Sequence, residues 1–255
     1  MRYLYDRLRS GERLFGTWCN LGSSIAAEIA GLSGFDWVLI DLEHGSGDYG
    51  DLVHQIQAVS ATPAAPVVRI AWNDPVAFKR VLDLGASGIM VPYVQSAEEA
   101  AAAVRAMRYP PAGVRGVALL NRATSFGAGF GDYVQRADRE LLTIVQIETP
   151  RAVENAAEIA AVDGVDVLFV GPLDLSTGLG VQGRYDEPVY LEALDRVARA
   201  AARAGKASGI LLLGSQALAA TVERGMTFIA LGSDGGLVAN GMRANAELVA
   251  KHRAR

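Results

Sequence analysis

The sequence predicts a (β/α)8 TIM barrel, a single domain that spans residues 1–255. Eight short runs of β-branched or aliphatic residues alternate with alanine-rich stretches of helical character. Each run is apolar on both faces, as a parallel strand must be when it is buried on both sides. The length of 255 residues is also close to the usual size of such a barrel. A doubly wound sheet is the alternative fold, but it would normally need fewer strands.

Each predicted strand leaves room for a helix before the next one, and several helix starts can be identified. Asp74 and Thr149 each place a capping side chain before a proline at the first helical position. The sequence SAEE at 96–99 has the spacing of a capping box. A last helix is predicted at 241–252. The predicted strands are 14–19, 37–41, 66–70, 88–91, 142–147, 167–170, 208–213 and 227–231.

One segment, 109–139, interrupts this alternation. It is rich in glycine, proline and arginine and has no clear hydrophobic period. A connection of roughly 30 residues in a compact domain is usually functional or held by a neighbouring subunit. We therefore predict an irregular segment here that is a candidate for subunit contacts.

Composition narrows the class of protein. Half of the residues (51%) are hydrophobic, so the chain can bury a sizeable core, and the net charge of −4 argues against nucleic acid or an anionic membrane surface as partner. Cys19 is the single cysteine, which excludes an internal disulfide and fits a reducing compartment. The first residues are charged and lack the apolar core of a signal peptide, and no run of about 18 apolar residues occurs. We expect a cytoplasmic protein without a membrane partner.

Polar residues gather at the carboxyl ends of the predicted strands. In a barrel these ends open on one face, where the loops that follow the strands build the active site. His44, one of three histidines, lies directly after the second strand. Gln146 and Glu148 are two residues apart and therefore point the same way. The polar or aromatic residues at these ends are Trp18, Asn20, Asp41, Glu43, His44, Arg69, Gln146, Glu148, Asp174, Ser233 and Asp234.

Each of these residues alone has a structural explanation. Asp41 and Asp174 could cap helices or form turns, and Arg69 could pair with a core carboxylate. His44 alone could equally be a loop histidine or an acid–base group. Because all of them fall on one face, a shared functional site is the better interpretation.

The residue types at this face indicate a particular chemistry. Glu148 and Asp174 are hard oxygen ligands on adjacent strands, and with waters and a chelating substrate they suit Mg²⁺ or Mn²⁺. None of the three lysines, at positions 79, 206 and 251, lies at the catalytic end of a strand, so a Schiff-base mechanism lacks a nucleophile. A metal and Arg69 could stabilise charge on the keto oxygen of a 2-oxo acid while its C3–C4 bond breaks. His44 would take the proton of the 4-hydroxyl.

The chain resembles the HpcH/HpaI family of metal-dependent pyruvate aldolases. The resemblance rests on ordered motifs along nearly the whole chain, including GFDWVLIDLEHG, PVVRIAWNDP, GIMVPYVQSAEEA, VQIETPRAVEN and GVDVLFVGPLDLS. It implies a (β/α)8 barrel that uses a divalent cation (Mg²⁺, Mn²⁺ or Co²⁺). It also implies reversible cleavage of 4-hydroxy-2-oxo acids to an aldehyde and pyruvate or hydroxypyruvate.

The resemblance also assigns roles to residues. By the family pattern His44 is the base, Arg69 stabilises the enolate, Glu148 and Asp174 hold the metal, and Asp41 is a supporting acid. Residues expected to contact substrate are Gln146, Pro172, Leu173, Asp174, Trp18 and Leu212. Leu173 departs from the family, in which the residue before the metal aspartate is commonly small.

Two further expectations follow from the resemblance. Asp83 matches an acid that pairs with the histidine, although its predicted place late in the third helix would require an irregular helix or a subunit interface. The family usually forms hexamers, as trimers of dimers, in which the C-terminal helix (here 241–253) is exchanged between subunits.

Two alternatives remain open from the sequence. An acyl-CoA carbon–carbon lyase of the citryl-CoA or malyl-CoA type would need cations for the CoA phosphates, for which Arg108, Arg115 and Arg122 are available. A barrel that has lost activity and serves only in binding would be expected to lack the metal pair or the base, and all are present.

Overall fold

The protein is a closed barrel of eight parallel strands joined in sequential order, as seen in a computed structural model that describes residues 3–253. Every strand pairs with its sequence neighbours, and β8 pairs with β1 to close the barrel. The predicted (β/α)8 fold is therefore confirmed. The strands are β1 (Leu14–Cys19), β2 (Trp37–Asp41), β3 (Ala65–Arg69), β4 (Gly88–Val91), β5 (Leu142–Ile147), β6 (Val167–Val170), β7 (Ala207–Leu212) and β8 (Phe228–Ser233).

Helices form the outer layer of the barrel. No helix in the range 3–253 is long and apolar enough to cross a membrane. A short 3-10 helix, Ser215–Ala217, precedes α11. The α-helices are α1 (Tyr5–Arg9), α2 (Ser24–Leu32), α3 (Tyr49–Ser60), α4 (Pro75–Asp83), α5 (Ala97–Met107), α6 (Phe130–Glu140), α7 (Pro150–Glu154), α8 (Ala156–Ala161), α9 (Pro172–Gly178), α10 (Pro188–Arg203), α11 (Leu218–Glu223) and α12 (Asp234–Arg253).

The predicted helix starts are largely confirmed. Asp74 accepts a hydrogen bond from the Val76 N–H and Thr149 from the Ala152 N–H, each before a proline. Ser96 accepts from the Glu99 N–H, but the Glu99 carboxylate returns to the N–H of Gln95. Only half of the predicted capping box therefore forms.

The strands have two apolar faces because helices cover them outside and side chains fill the barrel inside. Inside, the ring of Trp37 stacks on that of Phe228, with centroids 4.2 Å apart and planes 8° apart. This packing requires a glycine on the neighbouring strand, because a Cβ at Gly16 would lie 2.1 Å from the Trp37 ring. Because side chains fill the barrel interior, a substrate can bind only at the ends of the strands, and the polar side chains lie at their carboxyl ends.

Two predicted boundaries are corrected. The segment 109–139 contains all but the last residue of helix α6, whose apolar spacing was masked by the glycines at its start; Tyr133 and Ala137 are its buried residues. The final helix, α12, begins at Asp234 and not at residue 241, and none of its residues is buried. Most of this helix therefore extends away from the single chain.

Candidate active site

A buried ion pair between two neighbouring strands forms the floor of the site. Asp41 and Arg69 end β2 and β3 and lie opposite each other in the strand register. Arg69 donates from Nε to Oδ1 of Asp41 at 2.9 Å and from Nη2 to Oδ2 at 2.6 Å. Burial opposes ionisation of Asp41, but the hydrogen bonds and charge of Arg69 outweigh it and hold the pKa of Asp41 below its usual value. The pair is therefore fully charged at neutral pH.

Trp18 fixes this pair from the barrel interior. Its indole Nε1 donates to Oδ2 of Asp41 at 3.2 Å, and its ring lies 5.2 Å from the Arg69 guanidinium carbon. Trp18 is 4% exposed and packs against Phe169 at 5.8 Å between ring centroids. Trp18 therefore positions Arg69 in two ways: its hydrogen bond holds the partner carboxylate of Asp41, and its ring makes a cation–π contact with the guanidinium.

Glu43 links Arg69 to His44 in the turn after β2. One carboxylate oxygen, Oε2, lies 2.7 Å from Nη1 of Arg69, and Oε1 lies 3.9 Å from Nε2 of His44. The backbone N–H groups of Glu43 and His44 both donate to Oδ1 of Asp41. The His44 side chain is 72% exposed. The turn thus presents the imidazole to solvent at the mouth of the barrel.

The backbone after His44 is tightly constrained. A Cβ at Gly45 would lie 2.0 Å from the carbonyl oxygen of Asp41, so only glycine fits there. Helix α3 then begins with a reciprocal capping box between Asp48 and Asp51. Both features hold the histidine turn against the end of β2.

Glu148 follows β5 and is buried at the same face. Its Oε1 accepts from the Tyr93 N–H at 2.7 Å, and its Oε2 accepts from Nε2 of Gln146 at 3.1 Å. Burial raises the pKa of Glu148 to about 7, although the Tyr93 N–H lowers it, and the charges of Glu43 and Asp174 raise it further. Gly171 leaves the room for this carboxylate, because a Cβ there would lie 2.3 Å from Oε2.

Asp174 lies in the first turn of α9, directly after β6, and completes the acidic group. Its charge is close enough to raise the pKa of both Glu148 and Glu43. Leu173 has a 52% exposed side chain, and its carbonyl accepts from the hydroxyls of Ser176 and Thr177. The turn that carries Asp174 is thereby held in place with Leu173 facing solvent.

The donor set fits a divalent cation. Four acids (Asp41, Glu43, Glu148 and Asp174) face one arginine, and Asp41 and Glu43 already pair with it. Among residues 3–253 the oxygen Oε1 of Gln146 is buried without a hydrogen-bond partner, so it can accept from a metal-bound water or substrate. No group of three or more Cys, His, Asp or Glu residues that could hold a metal converges in this range. Glu148 and Asp174, the two of these acids that do not pair with Arg69, are therefore the ones that could hold a metal, with positions left for water and substrate.

Two predicted site residues are not brought to this face. Asp83 is the last residue of α4, at the opposite end of the barrel, where its Oδ1 accepts from Nη2 of the buried Arg115 at 3.0 Å. A regular helix carries it there, so no Asp83–His44 pair forms within one chain. Leu212 points outward and packs in the helix layer, whereas its neighbour Leu211 packs against the interior cluster. Alternation along β7 therefore rules out a side-chain role for Leu212 inside the barrel.

The three arginines considered for CoA phosphates also lie elsewhere. Arg108 pairs with Asp163, Arg115 with Asp83, and Arg122 donates to the carbonyl of Leu84. None of these contacts is at the carboxyl ends of the strands. The single chain therefore offers no phosphate site at its mouth from these side chains.

Two contributions were missed from the sequence. The sequence placed Glu43 at the end of β2 but did not predict that it links Arg69 to His44. Its position within DLEH, between Asp41 and His44, could have suggested this link. Tyr93 contributes a backbone N–H from a left-handed conformation with φ of 57°. No side-chain pattern predicts such a donor.

Comparisons with known proteins agree with this geometry. The sequence profile of the family described as HpcH/HpaI aldolase/citrate lyase matches residues 14–241. The 4-hydroxy-2-oxo-heptane-1,7-dioate aldolase of Klebsiella pneumoniae is 44% identical over 240 residues, which cover 94% of this chain and 90% of that enzyme. The hydroxypyruvate/pyruvate aldolase of Delftia acidovorans is 46% identical over 239 residues, which cover 93% of this chain and 88% of that enzyme.

A solved structure gives the same result for the fold. The crystal structure of an HpcH/HpaI aldolase/citrate lyase family protein from Burkholderia cenocepacia superposes with a TM-score of 0.91 at 40% identity. The match covers 96% of this chain and 98% of that one. Together with the closed barrel and its acidic mouth, these matches show that the chain belongs to the HpcH/HpaI aldolase/citrate lyase family and is a carbon–carbon lyase.

Proposed function

We propose that the protein is a divalent-metal-dependent aldolase that reversibly cleaves 4-hydroxy-2-oxo acids to an aldehyde and pyruvate or hydroxypyruvate. The observation that carries this proposal is the convergence of Glu148 and Asp174 beside the fixed guanidinium of Arg69. The names of the two relatives, one a dioate aldolase and one a hydroxypyruvate/pyruvate aldolase, support the same substrate class. Mg²⁺, Mn²⁺ or Co²⁺ suits a site built of carboxylate oxygens.

Glu148 and Asp174 would hold the metal, which when bound supplies Lewis-acid stabilisation of negative charge on the keto oxygen. Arg69 acts on the same charge. A guanidinium has five N–H donors; Asp41 takes two of them and Glu43 lies against Nη1, so one N–H remains on Nη1 and one on Nη2. Because Asp41 and Trp18 fix the guanidinium before substrate arrives, little reorganisation is needed when charge develops.

His44 is the base in this proposal. As the C3–C4 bond of the substrate breaks, its electron pair forms the C2–C3 double bond of an enolate, and the 4-hydroxyl oxygen becomes the aldehyde oxygen. A proton from water then adds to C3 of the enolate and gives the 2-oxo acid product. The imidazole takes the hydroxyl proton directly or through a water, and it returns that proton in the synthetic direction. Its exposed position at the mouth allows it to reach a group on the outer end of the substrate.

The proposal is tested by metal removal and by two variants. EDTA-treated protein should lose pyruvate release from a 4-hydroxy-2-oxo acid and regain it with Mn²⁺ or Mg²⁺. Borohydride with pyruvate should not inactivate the enzyme, because no lysine lies at this face. Activity that survives both chelation and Glu148→Ala would remove the metal from the reaction. His44→Ala should reduce turnover more than pyruvate binding, and the opposite result would make His44 a ligand.

The assembly is a second part of the proposal. Helix α12 has no buried residue, and an isolated helix of this kind gains little stability from its own sequence. We propose that it packs on a neighbouring subunit of a homo-oligomer, with a hexamer built as a trimer of dimers as the expected form. Light scattering after size exclusion would measure the mass, and a monomer would contradict it. The exposed apolar residues of α12 are Leu237, Val238, Met242, Leu248 and Val249.

Cellular placement is also a proposal. The free, buried Cys19 and the net charge of −4 support a cytoplasmic enzyme of small molecules with no nucleic-acid or membrane partner. Fractionation of cells expressing the protein would test it, and recovery with membranes would contradict it.

A further inference from the structure

Two exposed aromatic side chains stand at the mouth of the barrel. Trp72 follows β3 and Tyr93 follows β4, and their exposed fractions are 59% and 43%. Their rings stack, with centroids 6.0 Å apart and planes at 29°. The Tyr93 N–H donates to Oε1 of Glu148, so the pair borders the metal-binding carboxylate. We name Trp72 and Tyr93 the aromatic platform.

Exposed apolar side chains and acids also stand around the rest of the mouth. Leu173, after β6, and Leu213, after β7, are 52% and 68% exposed. Arg69 pairs with Asp41 and Glu43 and serves the keto oxygen in the proposed reaction, and Arg184 pairs with Glu187 at 2.6 Å. In the described loops that follow the strands no other lysine or arginine is present, and among the first turns of the helices after those loops only that of α7 carries one, the exposed Arg151. The acids there and in the first turns of the helices include Glu43, Asp48, Asp74, Glu148, Asp174 and Asp234.

We propose that the aromatic platform binds the substituent of the aldehyde, and that the enzyme prefers apolar or aromatic aldehydes to those that carry a second carboxylate. This inference rests on the proposed function and specifies its substrate class. A flat apolar group can stack on Trp72 and Tyr93 beside the reacting carbon. Against the single arginine Arg151, a second carboxylate would face several acids, and their summed negative charge repels it.

The first test compares matched aldehydes in the synthetic direction with pyruvate and Mn²⁺. Succinic semialdehyde and its uncharged methyl ester differ mainly in charge, so the ester should have a kcat/KM at least about tenfold higher at low salt. The ratio of kcat/KM for the ester over that for succinic semialdehyde should fall as ionic strength rises, because salt screens exposed charges. Phenylacetaldehyde should likewise exceed acetaldehyde. Equal or better use of succinic semialdehyde than of the ester would overturn the inference.

Variants of Trp72 test the platform itself. Trp72→Ala should lower the ratio of kcat/KM for phenylacetaldehyde over acetaldehyde by about 3- to 10-fold, the range expected for loss of one aromatic contact. The ratio is measured on one preparation, so partial unfolding cancels. Trp72→Lys should raise the use of succinic semialdehyde relative to the ester, whereas the uncharged Trp72→Met should not. Val189→Ala, at a 43% exposed apolar position of α10, is the control and should keep the wild-type ratios.

Two outcomes would overturn the platform. Ratios that stay at the wild-type value in Trp72→Ala and Trp72→Lys would show that the aldehyde does not touch it. A fall in both rates together with a change in mass by light scattering would show that Trp72 belongs to a subunit contact.

A half-reaction separates failure of this inference from failure of the proposed function. Exchange of the pyruvate methyl protons for deuterium, followed by proton NMR, needs no aldehyde. Exchange without the predicted preference would refute the specificity and leave the aldolase proposal standing. No exchange in metal-loaded enzyme would refute the proposed function and this inference with it.

Discussion

Replacing Asp41 by asparagine should weaken both the fold and the reaction, because one carboxylate holds Arg69 in place. Asp41→Asn keeps the shape of the side chain and removes its charge. The carboxylate accepts from Nε and Nη2 of Arg69 and from the indole of Trp18, and its side chain is 2% exposed. Breaking a buried ion pair from one side typically costs about 3–5 kcal/mol. Asparagine keeps one acceptor, so we expect a loss near the lower end of that range.

The expected effects can be measured separately. A loss of about 3 kcal/mol should lower the midpoint of thermal unfolding by roughly 6–12 °C in a domain of this size. The kcat/KM for aldol cleavage should fall by about 100-fold, because a misplaced guanidinium no longer faces the developing charge. Mn²⁺ affinity should change little, since Asp41 is not a proposed ligand.

A double-mutant cycle decides whether the effect passes through Arg69. Arg69→Met alone leaves the Asp41 carboxylate buried without its cation, whereas the double variant removes both charges. The two single losses in free energy of unfolding should therefore sum to at least about 2 kcal/mol more than the loss in the double variant. Losses that add within about 0.5 kcal/mol would show that Asp41 acts independently of Arg69 and would refute the reasoning.

Two further predictions concern other parts of the structure. Burial raises the pKa of Asp166 to about 6, although the Thr143 N–H and nearby cations lower it. Between roughly pH 4 and 6 the folded protein therefore keeps a proton that the unfolded chain has lost, so stability falls by about 3 kcal/mol as pH rises through this window. Glu148, whose pKa is also raised, adds its own decline at overlapping pH, so Asp166→Asn should reduce the decline in urea unfolding by about 3 kcal/mol without abolishing it, and an unchanged decline would refute the assignment. Gly171→Ala should weaken Mn²⁺ binding, because the added Cβ would meet Oε2 of Glu148 at 2.3 Å. Gly131→Ala, where a Cβ meets nothing within 4 Å, is the control, and equal binding by both variants would contradict the close approach.

The fold was predictable because its signal is local and repeated. Five of the eight strands have the predicted bounds, and the other three begin within one residue of them. Helix α6 was missed although Phe130, Tyr133, Val134 and Ala137 have helical spacing, because the glycine-rich sequence GAGFG at its start masks that pattern. The full length of α12 was missed because Gly235, Gly236 and Gly241 obscure its helical pattern.

The site was predictable where a side chain at a strand end carries the chemistry. Asp41, Arg69 and Glu148 are brought together by strand register, which alternation along each strand fixes. Leu212 was expected to contact substrate only because of the resemblance, and alternation along β7 turns its side chain outward into the helix layer. The Tyr93 N–H could not be foreseen, because the sequence does not reveal a left-handed backbone at a tyrosine.

The central claim is that Glu148 and Asp174 jointly hold one divalent cation. Titration of the metal-free protein with Mn²⁺, followed by calorimetry or by the EPR signal of free Mn²⁺, tests it most directly. We predict that each chain binds one Mn²⁺ ion. Glu148→Gln and Asp174→Asn should each lower the Mn²⁺ affinity by at least about 100-fold, because mutation of a residue that only hydrogen-bonds to a metal ligand can already cost that much. Glu158→Gln, at an exposed acid of helix α8 in the outer layer, should bind as wild type does. Wild-type Mn²⁺ affinity in either Glu148→Gln or Asp174→Asn would contradict the claim.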